Sequence, residues 1–191
     1  MTLPTRASLL KRIQNHQDAE AWSQFQDIYG PLLFHYARAR GLSREDIEDV
    51  QATCYEQIVQ QIQDFKYDPS KGRFKAWLRT LVNRRVVDLL RKRREKNAAT
   101  QTFRQLPAED AAPDEIWERQ WKQQHLKYCV EQIRGEVSPQ TFKIFSLLVL
   151  KGCTVPDVCE QLDITPNLAY KARQRVLDRV REKMAEIGYE E

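Results

Sequence analysis

The sequence predicts an all-α protein: two small helical domains joined by a flexible linker, the C-terminal one a helix-turn-helix four-helix domain. Three observations predict it. Apolar residues recur at spacings of three and four along most of the chain, and no alternating, strand-like run occurs. The stretch NAATQTFRQLPAEDAAP, over residues 97–113, has no period and is rich in Ala, Thr, Gln and Pro. The closing stretch TVPDVCEQLDITPNLAYKARQRVLDRVREKM reads as a short helix, a tight turn and a long helix.

In chain order, Ala19, Trp22, Phe25, Ile28 and Tyr29 open an apolar helix face. Gly30-Pro31 interrupts it, and Pro31 suits the first position of a new helix. Leu32, Leu33, Tyr36 and Ala37 continue that face to a C-cap at Gly41. Ser43 is placed as an N-cap before the acids Glu45, Asp46, Glu48 and Asp49, with Ile47, Val50, Cys54, Ile58 and Ile62 as the buried stripe. A loop follows with Asp64, Tyr67, Asp68-Pro69 and Gly72. A long helix begins near Arg73, with Phe74, Trp77, Leu78, Leu81, Val82, Val86, Leu89 and Leu90 as its apolar face.

These elements make a first domain over residues 1–96, a bundle of three or four helices. After the linker at 97–113, the second domain spans 114–191. Its first helix carries Ile116, Trp117, Trp121, Tyr128, Cys129 and Ile133. Ser138-Pro139 caps the next, which runs through Phe142, Ile144, Phe145, Leu148 and Leu150 to Gly152. The closing pair turns Val155, Val158, Cys159 and Leu162 inward from its short helix, and Ile164, Leu168, Val176 and Val180 from the turn and long helix.

Composition excludes several classes. With 41% hydrophobic and 30% charged residues the chain reads as a soluble globular protein with a highly charged surface. No apolar run reaches membrane-spanning length, and the N-terminus MTLPTRASLLKRIQNHQDAE has no signal-peptide pattern, so a cytoplasmic location is expected. No Gly-rich phosphate loop, nucleophile–base set or carboxylate constellation occurs, so neither enzymatic chemistry nor a cofactor is expected. Cys54, Cys129, Cys153 and Cys159 form no CxxC pair and read as small buried hydrophobes. His125 with Cys129, Cys153 and Cys159 matches no standard zinc spacing, so no metal is expected.

The distribution of charge says more than its net value of +4. Between Arg73 and Lys96 stand Arg73, Lys75, Arg79, Arg84, Arg85, Arg91, Lys92, Arg93, Arg94 and Lys96 against only Asp88 and Glu95. Such a cluster repels itself unless an anion neutralises it, which points to nucleic-acid phosphate. Phe65, Tyr67 and Phe74 lie at or just before its start, where aromatic rings stack on unpaired bases, with core packing as the alternative for Phe74 and Trp77. In the closing pair, Tyr170, Lys171, Arg173, Gln174 and Arg175 fall on the outer face of the second helix. There a recognition helix offers side chains to base edges in the major groove, although a plain helical hairpin shows the same pattern. The acids Glu45, Asp46, Glu48 and Asp49 admit three readings: complements of a helix N-terminus, a metal cluster, or a docking surface for a basic partner.

Four blocks in this order, AWSQFQDIYGPLLFHYARARG, EDIEDV, GRFKAWLRTLVNRRVVDLLRKRRE and the closing helix pair, resemble the bacterial RNA polymerase sigma factors of the extracytoplasmic-function (ECF) type. The stretch YDPSKGRFKAWLRT and the N-terminal TRASLLKRI are similar to planctomycete members of that family. The resemblance covers nearly the whole chain. It implies a factor that binds core RNA polymerase, through the β′ clamp and the β flap, and directs recognition and melting of promoter DNA in transcription initiation. Asp46, Glu48, Asp49 and Val50 are then the polymerase-binding residues. Tyr67, Lys71, Arg73, Phe74, Asn83, Arg84, Asp88 and Arg91 serve the −10 element, and Thr165, Asn167, Tyr170, Lys171, Arg173, Gln174 and Arg175 the −35 element. An anti-sigma partner is a family expectation; a homo-oligomer is not. The chain departs from the family after Asp49-Val50, with Gln51, Ala52 and Thr53 where a Gln and then a Glu usually stand at the second and third positions. The competing class is a helix-turn-helix regulator that binds duplex DNA alone, as a dimer on paired half-sites.

Overall fold

A computed structural model describes the backbone over residues 6–65, 73–100, 109 and 111–186, and the side chains over 8–65, 74–96, 109 and 111–185. Among the described residues every regular element is helical. The elements are α1 (Arg6–Arg12), α2 (Ala19–Ala39), α3 (Arg44–Gln61) with a 3₁₀ turn (Ile62–Asp64), α4 (Arg73–Thr100), α5 (Pro113–Arg134), α6 (Pro139–Phe145) continued by a π-helical turn (Ser146–Leu150), α7 (Val155–Leu162) and α8 (Pro166–Glu186). No helix among them is long and apolar enough to cross a membrane.

Two compact units divide between Gln124 and His125, inside α5. The aperiodic stretch at 97–113 is therefore not where the units part. Its first residues, 97–100, continue α4, and Pro113 opens α5. The first turns of α5 belong to the N-terminal unit for a packing reason. Trp117 and Trp121 are 0% and 2% exposed, and their rings lie 5.2 Å from Tyr36 and 5.8 Å from Tyr29.

The N-terminal unit is a bundle of α1 to α4 completed by this piece of α5. Its core takes Leu9 and Leu10 from α1 and Ile13 just after it; Phe25, Leu32 and Tyr36 from α2; Ile47, Val50, Cys54 and Ile58 from α3; and Phe74, Leu78, Val82 and Val86 from α4. Helix α1, too short to show a helical period, buries Leu9 and Leu10 and is pinned to α2 by Arg12. That guanidinium donates to both oxygens of Asp18, the N-cap of α2, at 2.8 and 2.9 Å. The pair holds the Asp18 carboxyl below its ordinary range.

Pro31 does not start a helix. It sits inside α2, which runs unbroken from Ala19 to Ala39. Proline has no N–H for the carbonyl four residues back, here Asp27. The Gln124 side-chain amide donates to that carbonyl instead, at 3.4 Å. The neighbouring carbonyl of Gly30 accepts from Gln51 at 2.9 Å. A Cβ at Gly30 would lie 3.0 Å from the Tyr55 hydroxyl, so this position has little room for a side chain.

Burial pushes the Cys54 thiol and the Tyr55 hydroxyl each up to about 12. Cys129 is also buried, whereas Cys153 and Cys159 are half-buried. A thiol-alkylating reagent at pH 8 is therefore expected to modify Cys153 and Cys159 well before Cys54. Mass mapping of the alkylated peptides after a short exposure reads the order, and equal labelling of all four would contradict it. Because the folded values exceed the unfolded ones, these two groups favour the fold below pH 9. That contribution fades as pH rises toward 12.

In the C-terminal unit α8 packs on α6 and α7. One cluster joins Ile144, Leu147, Val158, Ala169 and Ala172; another joins Ile133, Phe145, Val176 and Val180. The inward face of α8 thus runs through Ala169, Ala172, Val176 and Val180. Leu168, expected inward, is 43% exposed. The small alanines admit α7 closely and leave the larger Leu168 outside. Thr154 and Asp157 form a capping box at the start of α7. Asp163 takes the left-handed conformation at φ 51° to turn the chain toward α8, a backbone state that Asp tolerates better than most residues. Lys183 is buried and paired with Glu136 at 2.7 Å.

Candidate nucleic-acid interface

In the N-terminal unit two elements carry the predicted side chains. Ser43 caps α3 by accepting from the Asp46 N–H at 3.2 Å, and its hydroxyl donates to the Asp46 carboxylate at 2.8 Å. Asp46 is thereby occupied in the cap. Glu48 pairs with Arg44 one turn earlier at 3.2 Å, with both side chains well exposed. Asp49 reaches across to Arg85 on α4 at 2.6 Å and keeps a side-chain exposure of 47%. Val50 is fully buried, so its role is to seat α3 on the core rather than to meet a partner.

On α4 the predicted contacts divide. Tyr67 and Lys71 lie outside the described residues, as does the Arg73 side chain. Phe74 is corrected outright: at 0% exposure it sits against Tyr29 at 5.2 Å and Phe25 at 6.2 Å and is core. Phe65 and Trp77 are half-buried and extend the same aromatic cluster. Asn83 is half-buried and bonded inward. Its Oδ1 accepts from the Tyr36 hydroxyl and from Arg40, each at 2.9 Å. Arg84 is exposed, and Asp88 faces Arg91 at 3.5 Å. Arg91, Arg94 and Arg40 surround the apolar Val87 and Leu90 in an open cavity of about 360 Å³.

The repulsion inferred for the basic run is in good part answered inside the chain. Lys75 pairs with Glu118, Arg79 with Asp114 at 3.3 Å, Arg85 with Asp49, and Arg91 with Asp88. Arg93 donates to the Gly41 carbonyl at 3.1 Å. Arg84, Lys92 and Arg94 have no ion pair among the described residues and remain open to an outside anion. Sequence reasoning missed Tyr36 and Arg40 as partners of Asn83, since they stand 47 and 43 positions away. Val87 was findable, because it lies one turn beyond Asn83 on the same face and is apolar yet 45% exposed.

In the C-terminal unit Thr165 accepts from the Leu168 N–H at 3.4 Å, and its backbone carbonyl accepts from Ala169. Asn167, Tyr170, Lys171, Gln174 and Arg175 are exposed along α8. Arg173 is half-buried, with its guanidinium 5.5 Å from the centre of the Tyr170 ring. Gln174 is tied to Asp178 at 2.8 Å. Lys171 and Arg175 make no ion pair among the described residues. The predicted residues thus occupy two separate surfaces: the acidic edge of α3 with the cationic stripe of α4, and the outer face of α8.

Comparison with known proteins covers the segment that carries the first of these surfaces. Residues 26–96, which hold α3 and most of α2 and α4, match Sigma-70 region 2. The chain is 37% identical over 102 residues to the ECF RNA polymerase sigma factor SigK of Mycolicibacterium vanbaalenii, a match covering 51% of this chain and 47% of that protein. It is 34% identical over 101 residues to the SigK proteins of Mycobacterium bovis and Mycobacterium tuberculosis, covering 48% of this chain and 50% of theirs. The chain spans about half the length of these curated relatives. A solved structure of CnrH in complex with the cytosolic domain of CnrY covers 94% of this chain and 96% of its own, at 19% identity and a TM-score of 0.39.

Proposed function

We propose that the chain works as an RNA polymerase sigma factor of the ECF type, which binds core polymerase, directs it to promoters and assists their melting. One observation carries this reading. The segment that matches Sigma-70 region 2 is the one that offers an acidic edge on α3 and open guanidinium groups on α4. The likeness to the SigK proteins supports it.

In this reading Glu48 and Asp49, with Asp46 holding the cap behind them, dock the β′ clamp, and the C-terminal unit meets the β flap. Asn83, Arg84, Arg91 and Arg94 hold an unpaired strand at the −10 element, where guanidinium groups neutralise phosphates and release counterions. The helices α7 and α8 form the helix-turn-helix. Tyr170, Lys171, Gln174 and Arg175 reach the −35 element in the major groove. The chain supplies no bond chemistry. Unstacking a base costs a few kcal/mol, which stacking and polar contacts to the captured base offset. A masking anti-sigma partner is expected to control when the factor is free.

Adding the purified chain to core polymerase and mapping transcript starts tests the proposal. New starts preceded by a shared pair of elements are the expected result. Failure to associate with core enzyme, with starts unchanged, sinks it. Replacing Arg175 with alanine is expected to weaken use of such promoters and to lower the slope of log affinity against log salt by about one. A salt titration of promoter binding by the assembled holoenzyme measures it, and an unaltered slope removes Arg175 from the phosphate contacts.

A further inference from the structure

We infer that Arg40 of α2 is a strand contact in its own right, and that the cavity it shares with Val87, Leu90, Arg91 and Arg94 seats one nucleotide of an unpaired strand together with the phosphates on either side of it. The inference rests on the proposed reading of α4 as a strand-binding face, and it adds to that face a residue from another helix.

Arg40 is held by neutral groups. A guanidinium has five N–H donors and no acceptor. Two of them, on Nη1, go to the Tyr36 hydroxyl at 2.8 Å and to Asn83 Oδ1 at 2.9 Å. The Tyr36 hydroxyl donates in turn to the same Asn83 oxygen at 2.9 Å, which closes a triangle. Tyr36 is 1% exposed, and burial raises its pKa, so it stays uncharged. Neither partner cancels the charge of Arg40, whereas Lys75, Arg79 and Arg85 each face an acid. The other three donors of Arg40, on Nε and Nη2, bond no described residue. Those nitrogens are not among the buried side-chain atoms left without a partner, so they open to solvent. With the fork already fixed by the triangle, little side-chain freedom is lost when an anion meets it.

The cavity lies at the end of α2, and a helix C-terminus ordinarily repels an anion through its unpaired carbonyls. Here those carbonyls are served. Tyr36, Ala37, Arg38 and Ala39 accept from the backbone N–H groups of Arg40, Leu42, Gly41 and Glu109, and the Gly41 carbonyl accepts from Arg93. The described lining holds three guanidinium groups and no carboxylate. Asp88 meets Arg91 at 3.5 Å with both side chains more than half exposed, a pair that water and salt screen. The Glu109 carboxylate is taken by Arg119. Three cations against one screened acid exceed what a single phosphodiester neutralises, so the seat suits two successive phosphates. Val87, 45% exposed, and Leu90 supply an apolar floor for the sugar or base between them. A volume of about 360 Å³ is at the small end of ligand sites, which suits one nucleotide rather than several. A floor without polar groups reads no base edge, so the seat holds the strand whatever its sequence.

The test measures binding of the full chain to a labelled thymine-only DNA strand of about twenty nucleotides, by fluorescence anisotropy over a series of salt concentrations. Each phosphate contact on a single strand adds about 0.7 to the slope of log affinity against log salt. Arg40→Gln removes the charge and keeps an amide that can donate to Tyr36 and Asn83. Its slope is expected to fall by about 0.7, and its affinity about fivefold at about 0.1 M salt. Arg38→Gln is the control: it removes the same charge from an exposed side chain that lines a different cavity, and its slope should not change. Val87→Asp places a carboxylate on the exposed floor without touching the triangle, and should lower the slope by a similar amount. Circular dichroism checks the fold, and Val87→Asp decides alone where Arg40→Gln does not fold. An unchanged slope in folded Arg40→Gln, or in Val87→Asp, overturns the inference while leaving strand binding intact. An equal fall in Arg38→Gln shows that bulk charge is being read, and overturns it too. Thymidine diphosphate at about 1 mM and matched ionic strength should not displace the strand. Displacement that Arg40→Gln abolishes gives the seat to a free nucleotide and overturns the strand contact. Absence of binding by the unmodified chain at about 100 μM overturns the strand-binding reading itself, and the inference with it.

Discussion

Replacing Trp117 with alanine is expected to cost the N-terminal unit about 3 kcal/mol, the largest loss of stability of any single substitution considered. Trp117 is completely buried, edge-on to Tyr36 at 5.2 Å and tilted against Trp121 at 5.7 Å. Truncating a buried Trp to Ala ordinarily costs ~3–5 kcal/mol in lost transfer energy and residual cavity. The low end is expected because the indole Nε1 is buried without a hydrogen-bond partner. Its desolvation already weighs about 1–3 kcal/mol against the native state, and the truncation relieves it. Phenylalanine makes the informative companion, since it keeps much of the ring burial and removes the unpaired N–H. It should cost less than half as much. Urea unfolding of the full chain, followed by far-ultraviolet circular dichroism, measures both. A loss below about 1 kcal/mol for the alanine variant would mean that the first turns of α5 do not belong to this core.

Reversing Asp49 to arginine is expected to abolish co-purification with core RNA polymerase. The difficulty is that Asp49 has two roles: it holds Arg85 at 2.6 Å, and about half its side chain faces outward. An arginine there would face Arg85, so loss of docking alone could reflect a displaced α3. The double variant Asp49→Arg with Arg85→Asp separates the roles. It restores an ion pair between α3 and α4 with the signs exchanged, yet still presents a cation on the edge proposed to meet the β′ clamp. Docking should stay lost in the double variant. Recovery would show that polymerase binding needs only the internal pair, and would reject Asp49 as a docking contact.

Most helices were legible because burial imposes a period that residue type records. Phe25, Ile28, Tyr29 and Tyr36 on α2, and Leu78, Val82 and Val86 on α4, were read correctly from spacing alone. The misreadings have physical causes. Pro31 was read as a boundary because proline lacks an N–H, and the side chain that replaces that bond lies 97 positions after the Asp27 carbonyl it serves. Leu168 was read as core because leucine outweighs alanine in any hydrophobic pattern, whereas packing chose the small Ala169 and Ala172. The short α1 carries too few residues to display a period. Residues 97–100 are helical despite a composition that suggests a linker.

The candidate site was legible in residue type but less so in arrangement. A run of arginines announces affinity for phosphate, yet spacing does not reveal which are already paired. Lys75 and Arg79 meet acids from α5, whereas Arg84, Lys92 and Arg94 are exposed without an ion pair among the described residues. Phe74 and Val50 were assigned outward roles by resemblance, and both proved to be core. Asn83 was named as a contact. What orients it depends on side chains of another helix, which no local pattern encodes.

The amide that Gln124 lends to the Asp27 carbonyl has a practical corollary for anyone wishing to isolate the N-terminal unit of this molecule. A fragment cut at residue 96, where composition invites the cut, would strip Trp117, Trp121 and Gln124 from α2 at once. It would bare the aromatic flank formed by Tyr29 and Tyr36 and leave a helix carbonyl unserved beside a proline. Such a piece should aggregate or fray, whereas one carried through residue 124 keeps its own lid.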